Sequence, residues 1–270
     1  MSKASIHLIE FGDWGEAGVH VEWSEQSSWA TPDARLQKQI DDAWENACQS
    51  PLGAHLFDGP MCRVESHAVE GKSLHLKLSP TSYRLFFGTN MQEPPWTEPA
   101  NPTLLANPLG IATALISSDG WLVFGRRSTR VAYYPERIHP FAGSVEQPAD
   151  ARRAVNVFDN VRRELKAELL LSSNELTSLR CIGFVKDARL RQPELIFETH
   201  TSRTRAELDA ALDALEHRST WPVPATEQGL ATALDEPLLT PVATATLLLL
   251  GRRMVSSDWF ARNAKGVRTM

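Results

Sequence analysis

An α/β sandwich with a smaller amino-terminal α+β part is the fold class this sequence predicts, and three observations predict it. Short apolar strands alternate with amphipathic helices through the second half of the chain. A hairpin signature, Ser118-Asp119-Gly120, lies between two of those strands. A proline-rich stretch containing Pro94, Pro95, Pro99, Pro102 and Pro108 separates that half from what precedes it. The expected division is residues 1–90, a linker over 91–108, and a larger domain over 109–270.

Each element follows from local pattern. Residues 6–9 and 19–23 read as two short strands around a glycine-containing turn. Pro32-Asp33-Ala34 starts a helix to about residue 48, with Leu36, Ile40 and Trp44 on one face. Residues 62–69 and 73–78 form a strand pair joined at Glu70-Gly71-Lys72, and Leu74, Leu76 and Leu78 alternate with His75 and Lys77. Beyond the linker come strands at 109–116 and 121–124 and an irregular run to Ala142-Gly143-Ser144. A long helix over 150–171 follows, then strands at 179–185 and 195–201. Helices over about 205–217, 226–234 and 240–254 close the chain.

Composition narrows the function classes. The chain has 270 residues, 42% of them hydrophobic, enough for a sizeable core. A net charge of -5 argues against broad nucleic-acid binding. The most apolar run, 242–250, is too short to cross a bilayer and reads as a buried helix. Cys48, Cys62 and Cys181 have neither metal-ligand spacing nor a disulfide framework, so a reducing cytoplasm is the expected compartment. The first ten residues carry no secretory pattern. The eight histidines are scattered and read as structural or surface residues.

The chemistry is expected on the helix containing Asn156 to Leu171. Phe158, Val161, Leu165 and Leu169 form its apolar stripe. Glu164 and Glu168, four residues apart, stack beside that stripe, where like charges repel by roughly a few tenths of a kcal/mol in water. No cation stands three or four residues from either acid. The pair is then either a solvated acidic face or a seat for a divalent cation such as Mg²⁺, which takes a couple of carboxylates plus phosphate oxygens.

Arg163-Glu164-Leu165-Lys166-Ala167-Glu168-Leu169-Leu170-Leu171 resembles the Nudix box, whose core reads Arg-Glu-apolar-x-Glu-Glu-x-Gly-apolar after a glycine-containing loop. Ala167 stands at the middle glutamate and Leu170 at the glycine. Ala142-Gly143-Ser144-Val145-Glu146 looks like the family's turn before the helix, set farther from the box than usual. Further blocks are similar to vertebrate members of the Nudix hydrolases that cleave UDP-glucose and UDP-galactose. They are Ala43-Trp44-Glu45, Leu56-Phe57-Asp58-Gly59-Pro60, the run from Thr81 to Asn90, Asn107-Pro108-Leu109-Gly110, and Leu122-Val123-Phe124-Gly125-Arg126-Arg127-Ser128.

The resemblance implies a Nudix α/β/α sandwich and hydrolysis of a nucleotide-sugar diphosphate, UDP-glucose giving UMP and glucose 1-phosphate. Mg²⁺, with Mn²⁺ as the substitute, would be held by Glu164, Glu168 and the main chain at Ala142 or Gly143. Arg163 would brace the loop before the helix. Arg126 or Arg127 would meet the diphosphate, or the pair is a solvated surface patch. Glu194 is an extra ligand or general base, or else an exposed loop acid. Tyr83 and Arg84 recognise the nucleotide or pin the two parts together. The expected partner is a small nucleotide sugar, with no nucleic acid and no membrane. Another diphosphate such as ADP-ribose remains an alternative, as does a module that binds without hydrolysis.

Overall fold

A computed structural model describes residues 6–30, 32–92, 102–148, 150, 155–265 and 267–269. The expected linker prolines Pro94, Pro95 and Pro99 lie outside the described residues, as do 151–154 at the expected start of the long helix. The amino-terminal half gives β1 (Ile6–Trp14), β2 (Val19–Trp23), α1 (Ala34–Gln49), β3 (Pro60–Glu70), β4 (Ser73–Ser82) and α2 (Tyr83–Gly88). Next come β5 (Gly110–Ile116), β6 (Trp121–Arg127), β7 (Ile138–His139), β8 (Phe141–Ser144), α3 (Val157–Leu169), β9 (Leu176–Asp187) and β10 (Pro193–Thr201). The chain then runs through α4 (Arg205–Ala211), β11 (His217–Pro224), α5 (Glu227–Ala233), α6 (Pro241–Met254), α7 (Ser257–Asn263) and β12 (Val267–Thr269).

The mixed α/β sandwich is the architecture the chain adopts. One large sheet runs β11-β6-β5-β10-β9-β1-β12, with β7 on β6 and β8 on β5. Because side chains alternate across a strand, β10 sends Leu195 and Phe197 to one face and Ile196 to the other. On the first face they meet Phe158, Val161, Leu165 and Leu169 of α3. On the second face Ile196 meets Ala245 and Leu249 of α6, a helix apolar nearly all round and accordingly buried. Each layer of helix hides an apolar face that water would otherwise cover, and that burial is the main driving force.

The second, small sheet is β2-β4-β3. It is the α+β part, with α1 capped by Asp33, whose carboxylate accepts from the Leu36 amide at 2.7 Å. The division into 1–90 and 109–270 is not the division of the sheets, however. β1 pairs antiparallel with β9 and parallel with β12 inside the large sheet, while β2 joins β4. The two strands expected as neighbours around a turn therefore belong to different sheets.

The two parts are also stitched together. Cys62 N donates to Val145 O at 2.8 Å, and Leu109 N donates to Cys62 O at 2.7 Å. Asn90, 1% exposed, donates through Nδ2 to Leu190 O at 3.0 Å and accepts from Asn107 N at 3.1 Å. Thr89 Oγ1 accepts from Ala106 N at 3.1 Å. The Thr89-Asn90 pair is thus a fastener between the α2 end and the β9–β10 turn.

Two expected elements differ in extent. The long helix begins at Val157, where Asn156 accepts from the amides of Phe158 and Asp159. The helix expected over 205–217 stops at Ala211, and His217–Pro224 is strand β11. Its Pro222 and Pro224 are tolerated because β11 is an edge strand.

Candidate functional site

Glu164 and Glu168 sit on the side of α3 that faces β8. A Cβ at Gly143 would lie 2.4 Å from Glu164 Cδ, so the missing side chain is what lets the carboxylate rest on the β8 backbone. Gly143, Glu164 and Glu168 are brought together as expected. Glu164 is not free of cations: Arg163 Nη2 donates to its Oε1 at 2.9 Å. The same guanidinium reaches Glu146 Oε2 at 2.9 Å through Nη1, bracing the loop before the helix. Neighbours in sequence do not face each other on a helix, and the long arginine chain bends back to make this contact.

Glu168 is in a different state. It is 6% exposed, and neither carboxylate oxygen has an aligned hydrogen-bond donor. Burial, then the charges of Glu216 and Glu164, hold its pKa well above the usual carboxylate range, while Arg127 and the Ala142 amide offset part of this. Glu164 is raised too, first by burial, with Arg163 opposing and Glu216 and Glu146 reinforcing. Leaving such carboxylates without counter-charge is costly, and the pattern marks functional sites more often than structural ones.

The remaining expected residues separate into two groups. Arg127 is 5% exposed, its Nε has no partner, and its guanidinium carbon lies 4.7 Å from the Tyr133 ring centroid. Its charge acts on Glu168, Glu194 and Tyr83, so it is the cation at the centre of the site. Glu194 is 5% exposed rather than a loop acid at the surface, and it faces Gly110 across the β10–β5 ladder. Burial and then Asp187 push it up to about 8 against the pull of Arg127. Tyr83, at the start of α2, feels Tyr133, Arg127 and Glu216, and burial raises its pKa. The amino-terminal part thereby reaches the site. Arg126 follows the strand alternation to the face opposite Arg127. Arg84 is tied to Asp41 of α1 at 2.5 Å and accepts no site role by position, while its amide donates to Asp58.

Sequence reasoning missed Glu216 and His217. His217 is 1% exposed, with Nε2 3.2 Å from Glu168 Oε1, and burial, with Arg127 adding, lowers its pKa to about 3. The imidazole is therefore neutral and the contact is not an ion pair. Glu216 is exposed beside it, and its charge reaches both helix acids. Trp221 and Val223, two apart and on one face, were the available signal for a strand here, hidden by Pro222 and Pro224.

The donor set suits a hard divalent cation. Glu164, Glu168 and Glu216 supply carboxylates, and Gly143 of β8 lies directly against Glu164. Among the described residues no three His, Cys, Asp or Glu side chains already converge at coordinating distance. The orphaned oxygens of Glu168 are the observation that favours a cation, with water and phosphate oxygens filling the rest of the shell. Ala167, in place of a fourth acid, is exposed on the outer side of α3.

Three mammalian proteins, each named uridine diphosphate glucose pyrophosphatase NUDT22, are similar to the chain. The mouse protein (Mus musculus) is 34% identical over 129 residues, 42% of this chain and 40% of that protein. The human protein (Homo sapiens) is 37% identical over 107 residues, 35% of each chain. The cattle protein (Bos taurus) is 34% identical over 125 residues, 42% of each. The matched segment thus spans less than half the length of each relative. No protein-family model matches. Among solved structures, the MutT protein from Methanosarcina mazei Go1 overlaps at 11% identity and a TM-score of 0.34, over 58% of this chain and 95% of that one. The resemblance to the vertebrate UDP-glucose pyrophosphatase, and through it to the Nudix hydrolases, is present in the sequence beyond the box itself.

Proposed function

We propose that the chain is a metal-dependent Nudix hydrolase that cleaves the diphosphate of a nucleotide sugar, UDP-glucose or UDP-galactose, to UMP and a sugar 1-phosphate. The observation that supports it most is the buried, uncompensated Glu168 carboxylate beside Glu164 and Glu216. The similarity to the mammalian UDP-glucose pyrophosphatases supports the choice of substrate.

In this reading Glu164, Glu168 and the main chain at Gly143 hold Mg²⁺ or Mn²⁺, and Glu216 adds a third carboxylate. When bound, the cation would supply charge neutralisation at the diphosphate and a lowered pKa for the attacking water. Arg163 keeps Glu164 and the β8 loop in register. Arg127 offers the diphosphate a guanidinium whose Nε has no other partner. Glu194, pushed up to about 8, carries its proton at neutral pH and suits proton transfer to or from the reacting groups. Tyr83 brings the amino-terminal part to the nucleotide, so residues 1–90 complete the pocket of the 109–270 domain. No helix among the described residues is long and apolar enough to cross a membrane. Three free cysteines fit a reducing compartment, and the cytoplasm is the proposed location.

A second reading, a module that binds a nucleotide sugar without cleaving it, is favoured by Ala167 at the middle acid of the box. A panel of UDP-glucose, UDP-galactose and ADP-ribose with Mg²⁺ tests both. Turnover of the UDP-sugars above ADP-ribose is expected. Faster ADP-ribose cleavage overturns the substrate, and saturable binding without turnover establishes the second reading.

A further inference from the structure

His217 is the buried polar group at the site that the proposed chemistry leaves without a task. Its imidazole is held from several sides. A Cβ on Gly125 would stand 2.1 Å from Nδ1 and 2.4 Å from Cγ, so the ring occupies the space that glycine leaves open. Phe141 packs at 5.2 Å between ring centroids, edge to face. The chain before it is pinned as well: Ser128 N donates to Glu216 O at 2.7 Å, and Ser128 Oγ donates to Leu215 O at 2.9 Å.

Held this way, the ring sets one nitrogen beside a carboxylate, in contact but not aligned for a hydrogen bond, and leaves the other without a partner. Nε2 lies 3.2 Å from Glu168 Oε1, and Nδ1 has no partner. The Ala142 amide is the other donor close to that carboxylate, and it too falls short of an aligned hydrogen bond to either oxygen. Beside an ionised carboxylate, as a bound cation would keep it, the nearer imidazole nitrogen is the one that carries a proton. Glutamate side chains are long and rotationally free, so a carboxylate that must present one oxygen to a cation benefits from a donor on the other.

We infer that His217 is a positioning residue which, as an Nε2–H donor to Oε1 of Glu168, fixes that carboxylate so that Oε2 is presented to a divalent cation. The inference rests on the metal-site reading above. It assigns a use to Gly125 as well, since any larger residue there would displace the ring.

The test measures Mn²⁺ binding to the full chain without substrate, read from the electron paramagnetic resonance of free Mn²⁺. Four proteins are compared: the native chain, E168Q, H217Q and H217N. Glutamine places its amide nitrogen near the Nε2 position, whereas asparagine ends near Nδ1. H217N is expected to weaken Mn²⁺ binding about tenfold or more, H217Q to stay within about threefold of native, and E168Q to lose the site. Native affinity in H217N, or equal losses in H217N and H217Q, overturns the positioning role when E168Q has lost binding. Native affinity in E168Q overturns the metal-site reading itself. A measurement on the native chain with Mg²⁺ bound stands beside these: nitrogen-15 correlation spectra should show His217 as the Nε2–H tautomer, and an Nδ1–H tautomer overturns the inference whether or not the variants fold.

Discussion

Two clusters of acids in this molecule are built from the same residue types and end in opposite electrostatic states. On one side, Glu198 of β10 meets His200 Nε2 at 2.7 Å and Arg253 Nε at 2.6 Å, while Asp13 takes Arg180 Nε at 2.5 Å and a further contact from Arg253. Burial alone would raise Glu198, yet His200 and Arg253 more than offset it and its pKa is lowered. On the other side, Glu168 and Glu194 are raised by burial, with Arg127 as a shared and insufficient counter-charge. The acids of the first cluster come with their cations, and those of the second are short of them.

The largest effect is expected from Glu168→Gln. Hydrolysis, measured as kcat/KM with Mg²⁺, should fall by about a hundredfold or more. The melting temperature of the metal-free protein should stay the same or rise, because a buried like-charge repulsion is removed. A clear loss of stability would mean that Glu168 belongs with Glu198 after all.

Glu194 gives the next largest effect, in the pH dependence of stability. Its pKa moves from 4.5 to about 8 on folding. Between those values the folded chain binds a proton that the unfolded chain has released, so stability falls as pH rises through this window and levels off above it. The contribution reaches about 1.4 kcal/mol per pH unit. Denaturant unfolding with chelator present, across pH 4.5 to 8, should show a flatter profile in Glu194→Gln.

The paired cluster should respond in the reverse way. Arg253→Ala leaves Glu198 and Asp13 short of a cation, so equilibrium unfolding should report a loss of about 1.5–3 kcal/mol. Turnover should be unchanged within about twofold, since none of these groups touches the site.

The smallest effect concerns a position outside both clusters. Leu170 closes α3 at φ +53°, a left-handed conformation that strains a residue with a Cβ, and its side chain is 65% exposed. Leu170→Gly should stabilise the protein by up to about 1 kcal/mol in thermal unfolding without changing activity.

Leu170 also shows what local sequence can reveal. The Nudix box has glycine at this position, a residue suited to the left-handed turn that ends this helix, where this chain carries leucine. The α3 stripe and the Glu164–Glu168 spacing were legible because they repeat with the helix period. The Gly143 turn was legible because the resemblance placed it. Three features were not legible, each for its own reason. The Arg163–Glu164 contact depends on a side-chain bend that spacing rules ignore. The pairing of β1 with β9 and β12 depends on partners far along the chain. Glu216 and His217 read in the sequence as the end of a helix, because Pro222 and Pro224 disguise an edge strand. The site was therefore half readable: the helix acids were visible, and the residues that set their protonation and orientation were not.

The central claim is that uncompensated acids around α3 serve a hydrolytic metal site. The most direct test incubates the full chain with UDP-glucose and Mg²⁺ in oxygen-18 water, and follows the products by phosphorus NMR and mass spectrometry. UMP and glucose 1-phosphate are expected, with one oxygen-18 atom incorporated per cleavage and no cleavage in Glu168→Gln. Intact UDP-glucose after prolonged incubation, or equal cleavage by that variant, would contradict it.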